Sequence, residues 1–214
     1  MWGFKEMKKL LIILIMMLFV PVFADTLPFY MNSVPKSAIG LYQTDKTLVL
    51  RTNPDANAPV IKTFEFSYIP ENMPVNLFAV LLNDRKLGFL YATDIDEDGW
   101  VEVIYDKQIG AKGWVQTDDK MQFLPWINFY NLYGRKYGLA VMKDAPKDIY
   151  TLYAQCEDKS QALSKLNYIQ KVKMVKVSGN WALVTVLDLD KTPKSGWMKW
   201  RDSDGTIFAF PAIK

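Results

Sequence analysis

Three aspartates alternate along one short stretch and are the first residues whose spacing points to chemistry. Asp94, Asp96 and Asp98 supply carboxylates at alternate positions, as ligands do at the start of a calcium-binding loop. Gly99 follows at the sixth position, but the twelfth is Tyr105, where such a loop has a bidentate glutamate. We therefore interpret the stretch as a solvated acidic turn and predict no metal site, with calcium binding as the open alternative.

The chain has few other groups of the kind that catalysis uses. It contains no histidine, which removes the commonest general base and most zinc sites. Its single cysteine, Cys156, cannot form an intramolecular disulfide and has no adjacent basic residue to activate its thiol. No carboxylate pair stands out and no glycine-rich phosphate loop is present. We predict a protein that is not an enzyme and uses no cofactor; a carboxylate-based hydrolase is the least favoured alternative.

The elements that would position any site are predicted to be β-strands. The stretch 98–116 reads Asp-Gly-Trp-Val-Glu-Val-Ile-Tyr-Asp-Lys-Gln-Ile-Gly-Ala-Lys-Gly-Trp-Val-Gln. Residues 101–106 come close to the alternation of a strand with one buried face, and Gly113 then restarts the chain as a hairpin partner would. Tryptophan at such positions more often fills the core of a small barrel than it binds a ligand. We predict this structural role for Trp100, Trp114, Trp181 and Trp197.

The first 24 residues have the three parts of a secretory signal peptide. Three lysines precede an apolar run from Leu10 to Val20, and Val22-Phe23-Ala24 forms a cleavage site ahead of Asp25. The run is short for a bilayer span, so we predict cleavage and no membrane span afterwards, with an uncleaved anchor as the alternative. The rest keeps 23 basic and 22 acidic residues, a net charge of +1, unlike nucleic-acid-binding proteins. We predict an exported protein, periplasmic or extracellular.

The remaining chain contains two similar units. Short β-prone runs with turns about every 8–12 residues, and no long helix, favour small barrels. Residues 50–64 align without gaps with residues 152–166, and apolar positions fall on apolar positions. We interpret this as a tandem repeat, with an insertion between Phe64 and Asp94 in the first copy. Other landmarks recur in order: Gly40-Leu41 with Gly138-Leu139, Gly99-Trp100 with Gly179 and Trp181, and Gly113-Trp114 with Gly196-Trp197.

At these residues the chain resembles the bacterial Src homology 3 (SH3) domain family. A strand ending in Arg51, a turn with Pro54, the Val60-Ile61 pair and the two Gly-Trp pairs are similar to that family's landmarks. The second copy departs from them at Tyr153, Cys156 and Met198. The resemblance implies an all-β chain of two small SH3-like β-barrels in tandem. The expected organisation is a signal peptide (1–24), an extended lead-in (25–36), barrel 1 (37–122), a short aromatic connector (123–136) and a divergent barrel 2 (137–214).

Two aromatic groups are candidates for binding. Similar domains present an aromatic groove between two long loops, which implies Tyr42, Arg51, Tyr91 and Trp100 as groove residues here. The connector carries aromatic residues at helical spacing, and we expect them to be buried between the two units rather than exposed to a ligand. Those connector residues are Trp126, Phe129, Tyr130, Tyr133 and Tyr137.

The function that the resemblance implies is binding. Bacterial domains of this kind commonly accompany cell-wall hydrolases and engage peptidoglycan or wall-associated proteins. We therefore expect an exported, non-enzymatic module whose partner is peptidoglycan or a wall-associated protein. The alternative is an adaptor of the cell envelope that binds a peptide or adds an edge strand from a partner protein. Both expectations come from the family resemblance and not from residue chemistry.

Overall fold

The computed structural model describes residues 34–65, 74, 76–82, 85–118, 122–142, 145–166, 171–187 and 192–213. Within them the chain is all-β with one short helical segment, which confirms the all-β part of the predicted fold class. The predicted signal peptide and most of the lead-in lie outside the described residues. No helix in the described part is long and apolar enough to cross a membrane.

The first sheet contains eight strands. Along the sheet the order is β3-β2-β7-β6-β5-β1-β8, and β4 pairs with β5. The extra strand β4 lies in the segment that the sequence indicated as an insertion. The bounds are β1 (Gly40–Thr44), β2 (Leu48–Arg51), β3 (Val60–Phe64), β4 (Val80–Leu82), β5 (Leu87–Ile95), β6 (Trp100–Asp106), β7 (Ala111–Gln116) and β8 (Phe123–Pro125).

The second sheet contains seven strands in the order β11-β10-β14-β13-β12-β9-β15. Taken in chain order, this is the path of the first sheet without β4. A 3₁₀ turn (Lys147–Tyr150) leads into β10. The bounds are β9 (Leu139–Val141), β10 (Thr151–Tyr153), β11 (Ala162–Lys165), β12 (Lys171–Ser178), β13 (Trp181–Leu187), β14 (Pro193–Lys199) and β15 (Ala209–Pro211).

The hydrogen-bonded ladders agree with the gapless alignment of the two units. Arg51 is opposite Trp114 in the first sheet, and Tyr153 is opposite Trp197 in the second. Each of the strands β2 and β10 carries a register shift just before that residue. The turns that follow also match. The backbone N–H of Thr52 donates to the carbonyl of Pro59, and the backbone N–H of Ala154 donates to the carbonyl of Gln161. Equivalent positions in the two sheets can therefore be compared residue by residue.

Both sheets are open paths in the described residues. The terminal strands β3 and β8 of the first path do not pair with each other there, nor do β11 and β15 of the second. A closed barrel is thus not found. The strand β8 lies within the range expected to be connector, but it pairs with β1 and is the last strand of the first sheet.

The aromatic connector is helical, as its spacing predicted, and Trp126, Phe129 and Tyr130 are buried, whereas Tyr133 and Tyr137 are half-buried. It consists of α-helix (Trp126–Phe129), a π-helical turn (Tyr130–Gly134) and α-helix (Arg135–Tyr137). Phe129 and Tyr130 are fully buried, and the Tyr130 hydroxyl donates to the carbonyl of Ala209 in the second sheet. One continuous core contains residues of this helical segment and of both sheets. The connector therefore packs the two sheets together.

Candidate functional site

One groove on the first sheet brings together three of the four predicted site residues. Tyr42 comes from β1, Arg51 from the end of β2, and Trp100 from the start of β6. The groove encloses about 240 Å³. We call it the first groove, and it is lined by Tyr42, Thr44, Lys46, Thr47, Leu48, Val49, Arg51, Ala56, Trp100, Val115, Gln116, Asp118 and Gln122.

Arg51 is half-buried and held by the turn that follows its own strand. Its Nη1 donates to the carbonyl of Ala58 at 2.6 Å. The guanidinium has further N–H donors, because an arginine side chain carries five. Among the described residues it forms no ion pair with a carboxylate. Arg51 therefore brings a fixed positive charge, with donors to spare, to the first groove.

Tyr42 and Trp100 form walls of the groove rather than open ring faces. Each side chain is only 4 % exposed. Burial, together with the nearby charges of Asp118 and Asp45, raises the pKa of Tyr42 to about 12. The Tyr42 hydroxyl therefore stays protonated at neutral pH. Neither residue offers the exposed ring face that stacking against a sugar requires.

Tyr91, the fourth predicted residue, does not belong to the groove. The ladder between β1 and β5 places Tyr91 opposite Leu41, and Tyr42 opposite Leu90. Successive residues of a strand point to opposite faces, so Tyr91 and Tyr42 lie on different sides of the sheet. Tyr91 is 1 % exposed and packs in the core shared with the helical segment, where burial raises its pKa. The groove assignment of Tyr91 is corrected accordingly.

Several polar residues of the groove were not predicted from the sequence. Lys46 Nζ lies 3.0 Å from a carboxylate oxygen of Asp118, and both side chains are exposed. Thr47 and Gln116 are also exposed along the rim. Lys46 and Asp118 are 72 positions apart, so no local pattern indicates their contact. The sequence prediction did not include the chain segment after β7, which contributes Asp118 and Gln122 to the groove.

A second, smaller groove occupies the equivalent place on the second sheet. It encloses about 110 Å³ and is lined by Asp148, Ile149, Tyr153, Asp158, Trp181, Lys199 and Phe208. The ladders make Tyr153 the equivalent of Arg51, Trp181 of Trp100, and Lys199 of Gln116. The matched turns make Asp158 the equivalent of Ala56.

An ion pair spans the second groove. Lys199 Nζ lies 2.7 Å from Asp158 Oδ1 and 3.0 Å from Asp202 Oδ1. Hydrogen bonding to Asp158 is the main cause that raises the pKa of Lys199, and Asp202 adds to it. The same lysine lies over the ring of Trp181, 5.8 Å from its centroid. The lysine of this groove is therefore already paired with two of the protein's own carboxylates.

The recurring Gly-Trp pairs have a structural explanation. A Cβ on Gly113 would lie 3.2 Å from the Cβ of Leu50, and one on Gly196 would lie 2.9 Å from the Cβ of Leu152. Both glycines thus allow β7 and β14 to lie close to the paired strand that carries Arg51 or Tyr153.

Neither the acidic turn nor the cysteine lines a groove. Asp96 Oδ1 accepts a hydrogen bond from the backbone N–H of Trp100 at 2.7 Å, which fixes the turn before β6. In the described part of the chain, no group of three His, Cys, Asp or Glu side chains is placed to hold a metal ion. Cys156 is a free, exposed thiol in the turn after β10.

Comparison with known proteins adds no family to this geometry. No protein-family model matches the chain, and no curated protein matches it.

Proposed function

We propose that this chain is an exported, non-enzymatic binding protein built from two divergent SH3-like barrels. Its partner in this proposal is peptidoglycan or a wall-associated protein. The observation that carries the proposal is the first groove, where Tyr42, Arg51 and Trp100 from three separate strands line one cavity of about 240 Å³. The repeated strand order and the Gly-Trp pairs of both sheets support the barrel assignment.

Binding fits this groove better than turnover does. Its charged side chains are Lys46, Arg51 and Asp118, and Lys46 already pairs with Asp118. General acid–base chemistry needs a group with a pKa near the working pH, and the sequence contains no histidine to supply one. A groove with a fixed cation, hydroxyl groups and amides is suited to hold a polar ligand.

A sedimentation assay with purified sacculi tests the proposal. The wild-type protein should pellet with sacculi in a saturable manner. The double variant Ala56→Asp/Gln116→Lys should bind more weakly, because it builds into the first groove the ion pair that spans the second. A charge-matched pair of exposed changes outside both grooves, Asn128→Asp/Gln161→Lys, should leave binding unchanged. Failure of the wild-type protein to pellet would remove peptidoglycan as the partner.

The adaptor alternative is favoured by a different observation. The strand β3 is the terminal strand of the first sheet, and within the described residues it pairs only with β2. Val60 and Ile61 on this strand are 50 % and 40 % exposed. Such an edge can accept a strand from a partner protein.

Crosslinking in envelope extracts distinguishes this alternative. Ile61→Lys places a charge on the edge and should abolish a crosslink to a defined partner protein. Leu163→Lys, at the equivalent position of β11, is the matched control. Loss of the crosslink in both variants would point to a general surface effect rather than to pairing at β3.

A further inference from the structure

The second groove contains an internal carboxylate that shows what the shared scaffold can hold. Asp158 extends from the turn after β10 and meets the ammonium group of Lys199 at 2.7 Å. The Asp158 side chain is 74 % exposed, so this carboxylate enters the groove from solvent rather than from the core. At this site, the fold therefore presents a cation to a carboxylate.

The first groove has no carboxylate at the position equivalent to Asp158. At the position of Asp158 it has Ala56, and at the position of Lys199 it has the neutral Gln116. Its positive charge comes instead from Arg51, which is bonded to the carbonyl of Ala58 and, in the described part of the chain, to no carboxylate. Lys46 and Asp118 neutralise each other at the rim. The unmatched charge of this groove is that of Arg51.

We infer that the first groove binds a carboxylate group of an extended peptide, with Arg51 as its principal contact. The inference rests on the proposed binding function and names the ligand chemistry of that site. Planar guanidinium groups match carboxylates through two parallel hydrogen bonds, and such charge-assisted pairs are stronger than neutral ones. An external carboxylate would pair with Arg51 in the first groove, as Asp158 pairs with Lys199 in the second.

The lining favours a peptide over a glycan. Tyr42 and Trp100 are each 4 % exposed, which leaves no ring face against which a sugar ring stacks. Thr47 and Gln116, in contrast, are exposed and offer a hydroxyl and an amide. These groups can pair with the N–H and C=O groups of an extended backbone on either side of the bound carboxylate.

Calorimetric titration of the purified protein with two synthetic peptides tests this inference. One peptide carries a single glutamate among alanines and glycines, with both termini blocked, and the other carries glutamine instead. The glutamate peptide should bind at least about tenfold more tightly, and rising salt should reduce the difference. Arg51→Gln should lower the affinity for the glutamate peptide by about tenfold, and Arg51→Lys should retain part of it.

Two further variants control for stability and for charge. Ala56→Asp keeps Arg51 and its bond to Ala58, but it supplies an internal carboxylate. It should therefore weaken binding of the glutamate peptide by a factor similar to that of Arg51→Gln. Lys165→Gln removes one exposed positive charge outside both grooves and should change nothing. Equal affinity for the two peptides, no binding of either, or unchanged affinity in a folded Arg51→Gln variant would overturn the inference. Tighter binding of a uronic-acid oligosaccharide than of the glutamate peptide would do so as well.

The result separates this inference from the function on which it rests. If Arg51→Gln pellets with sacculi as well as the wild type does, the wall-binding function stands and the carboxylate assignment falls. If the wild type binds the glutamate peptide but not sacculi, the carboxylate site stands and its partner is not peptidoglycan.

Discussion

The two grooves stand on similar scaffolds and differ in their lining. Each sheet has a glycine packed closely against a leucine at equivalent positions, and each groove is lined by a buried tryptophan. At the rim, Arg51, Ala56 and Gln116 of the first groove are replaced by Tyr153, Asp158 and Lys199 in the second. The first encloses about 240 Å³ and the second about 110 Å³.

This difference separates two roles that the sequence alone leaves mixed. Residues repeated in both units hold the strands together, whereas the residues that change decide whether a groove is open or satisfied internally. The tryptophans belong to the first class and Arg51 to the second.

Removing either buried tryptophan should have the largest effect. Trp100 and Trp181 are 4 % and 7 % exposed. Trp100→Ala and Trp181→Ala should each lower the free energy of unfolding by about 3–5 kcal/mol, through lost burial and the cavity left behind. Urea unfolding followed by circular dichroism measures this loss. Trp197→Ala is the control. Because Trp197 is half-buried, this change should lower the free energy of unfolding by less. A large loss in one unit alone would show that the tryptophans have different roles.

The paired glycines should be the next most sensitive positions. A Cβ on Gly196 would approach the Cβ of Leu152 to 2.9 Å and the carbonyl oxygen of Tyr153 to 3.1 Å. On Gly113 the corresponding distances are 3.2 Å to Leu50 and 3.5 Å to the carbonyl oxygen of Arg51. Gly196→Ala should therefore cost about 1–3 kcal/mol of unfolding free energy, and Gly113→Ala less. A larger loss for Gly113→Ala than for Gly196→Ala in urea unfolding would contradict the closer approach of β14 to β10.

Local patterns in the sequence predicted the strands and their correspondence. The alignment of residues 50–64 with 152–166 agrees with both ladders, because it rests on alternation and turn residues within one short segment. Helical spacing likewise predicted the helical connector, in which Trp126, Phe129 and Tyr130 are buried. These features depend on neighbours in the chain, which a sequence displays directly.

Features that depend on distant pairing were not predictable in the same way. The face on which Tyr91 lies follows from the register between β1 and β5, and a shift by one residue would reverse it. Lys199 and Asp158 are 41 positions apart, and their contact leaves no periodic signal. The rim of each groove is built from such contacts. The family resemblance therefore pointed to three residues of the first groove but not to its full lining.

The ion pair across the second groove should contribute little stability. Asp158 is 74 % exposed, and exposed pairs of this kind are worth less than about 1 kcal/mol. A double-mutant cycle with Asp158→Ala and Lys199→Gln should give a coupling energy in that range. In the Asp158→Ala variant, Lys199 still has its ion pair with Asp202. Its role would then be to fill the groove. A coupling energy of several kcal/mol would instead make the pair part of the scaffold.

The smallest expected effect is a difference in acid sensitivity between the two sheets. Glu102 on β6 accepts hydrogen bonds from Thr93 Oγ1 at 2.5 Å and Lys112 Nζ at 2.9 Å, whereas its equivalent on β13 is Leu183. Burial alone would raise the pKa of the Glu102 carboxyl. The hydrogen bonds from Thr93 and Lys112 outweigh burial and hold this pKa below its ordinary value.

A carboxyl whose pKa is lower in the folded state adds stability above its unfolded pKa, and this stability is lost as pH falls through the folded value. Glu102→Gln should therefore reduce the free energy of unfolding at neutral pH by a few tenths of a kcal/mol, after allowance for screening. It should also flatten the decline in stability below about pH 4.5. Urea midpoints of wild type and variant across this acid range measure both changes. Parallel curves would show that the Glu102 contacts contribute nothing that depends on its ionisation.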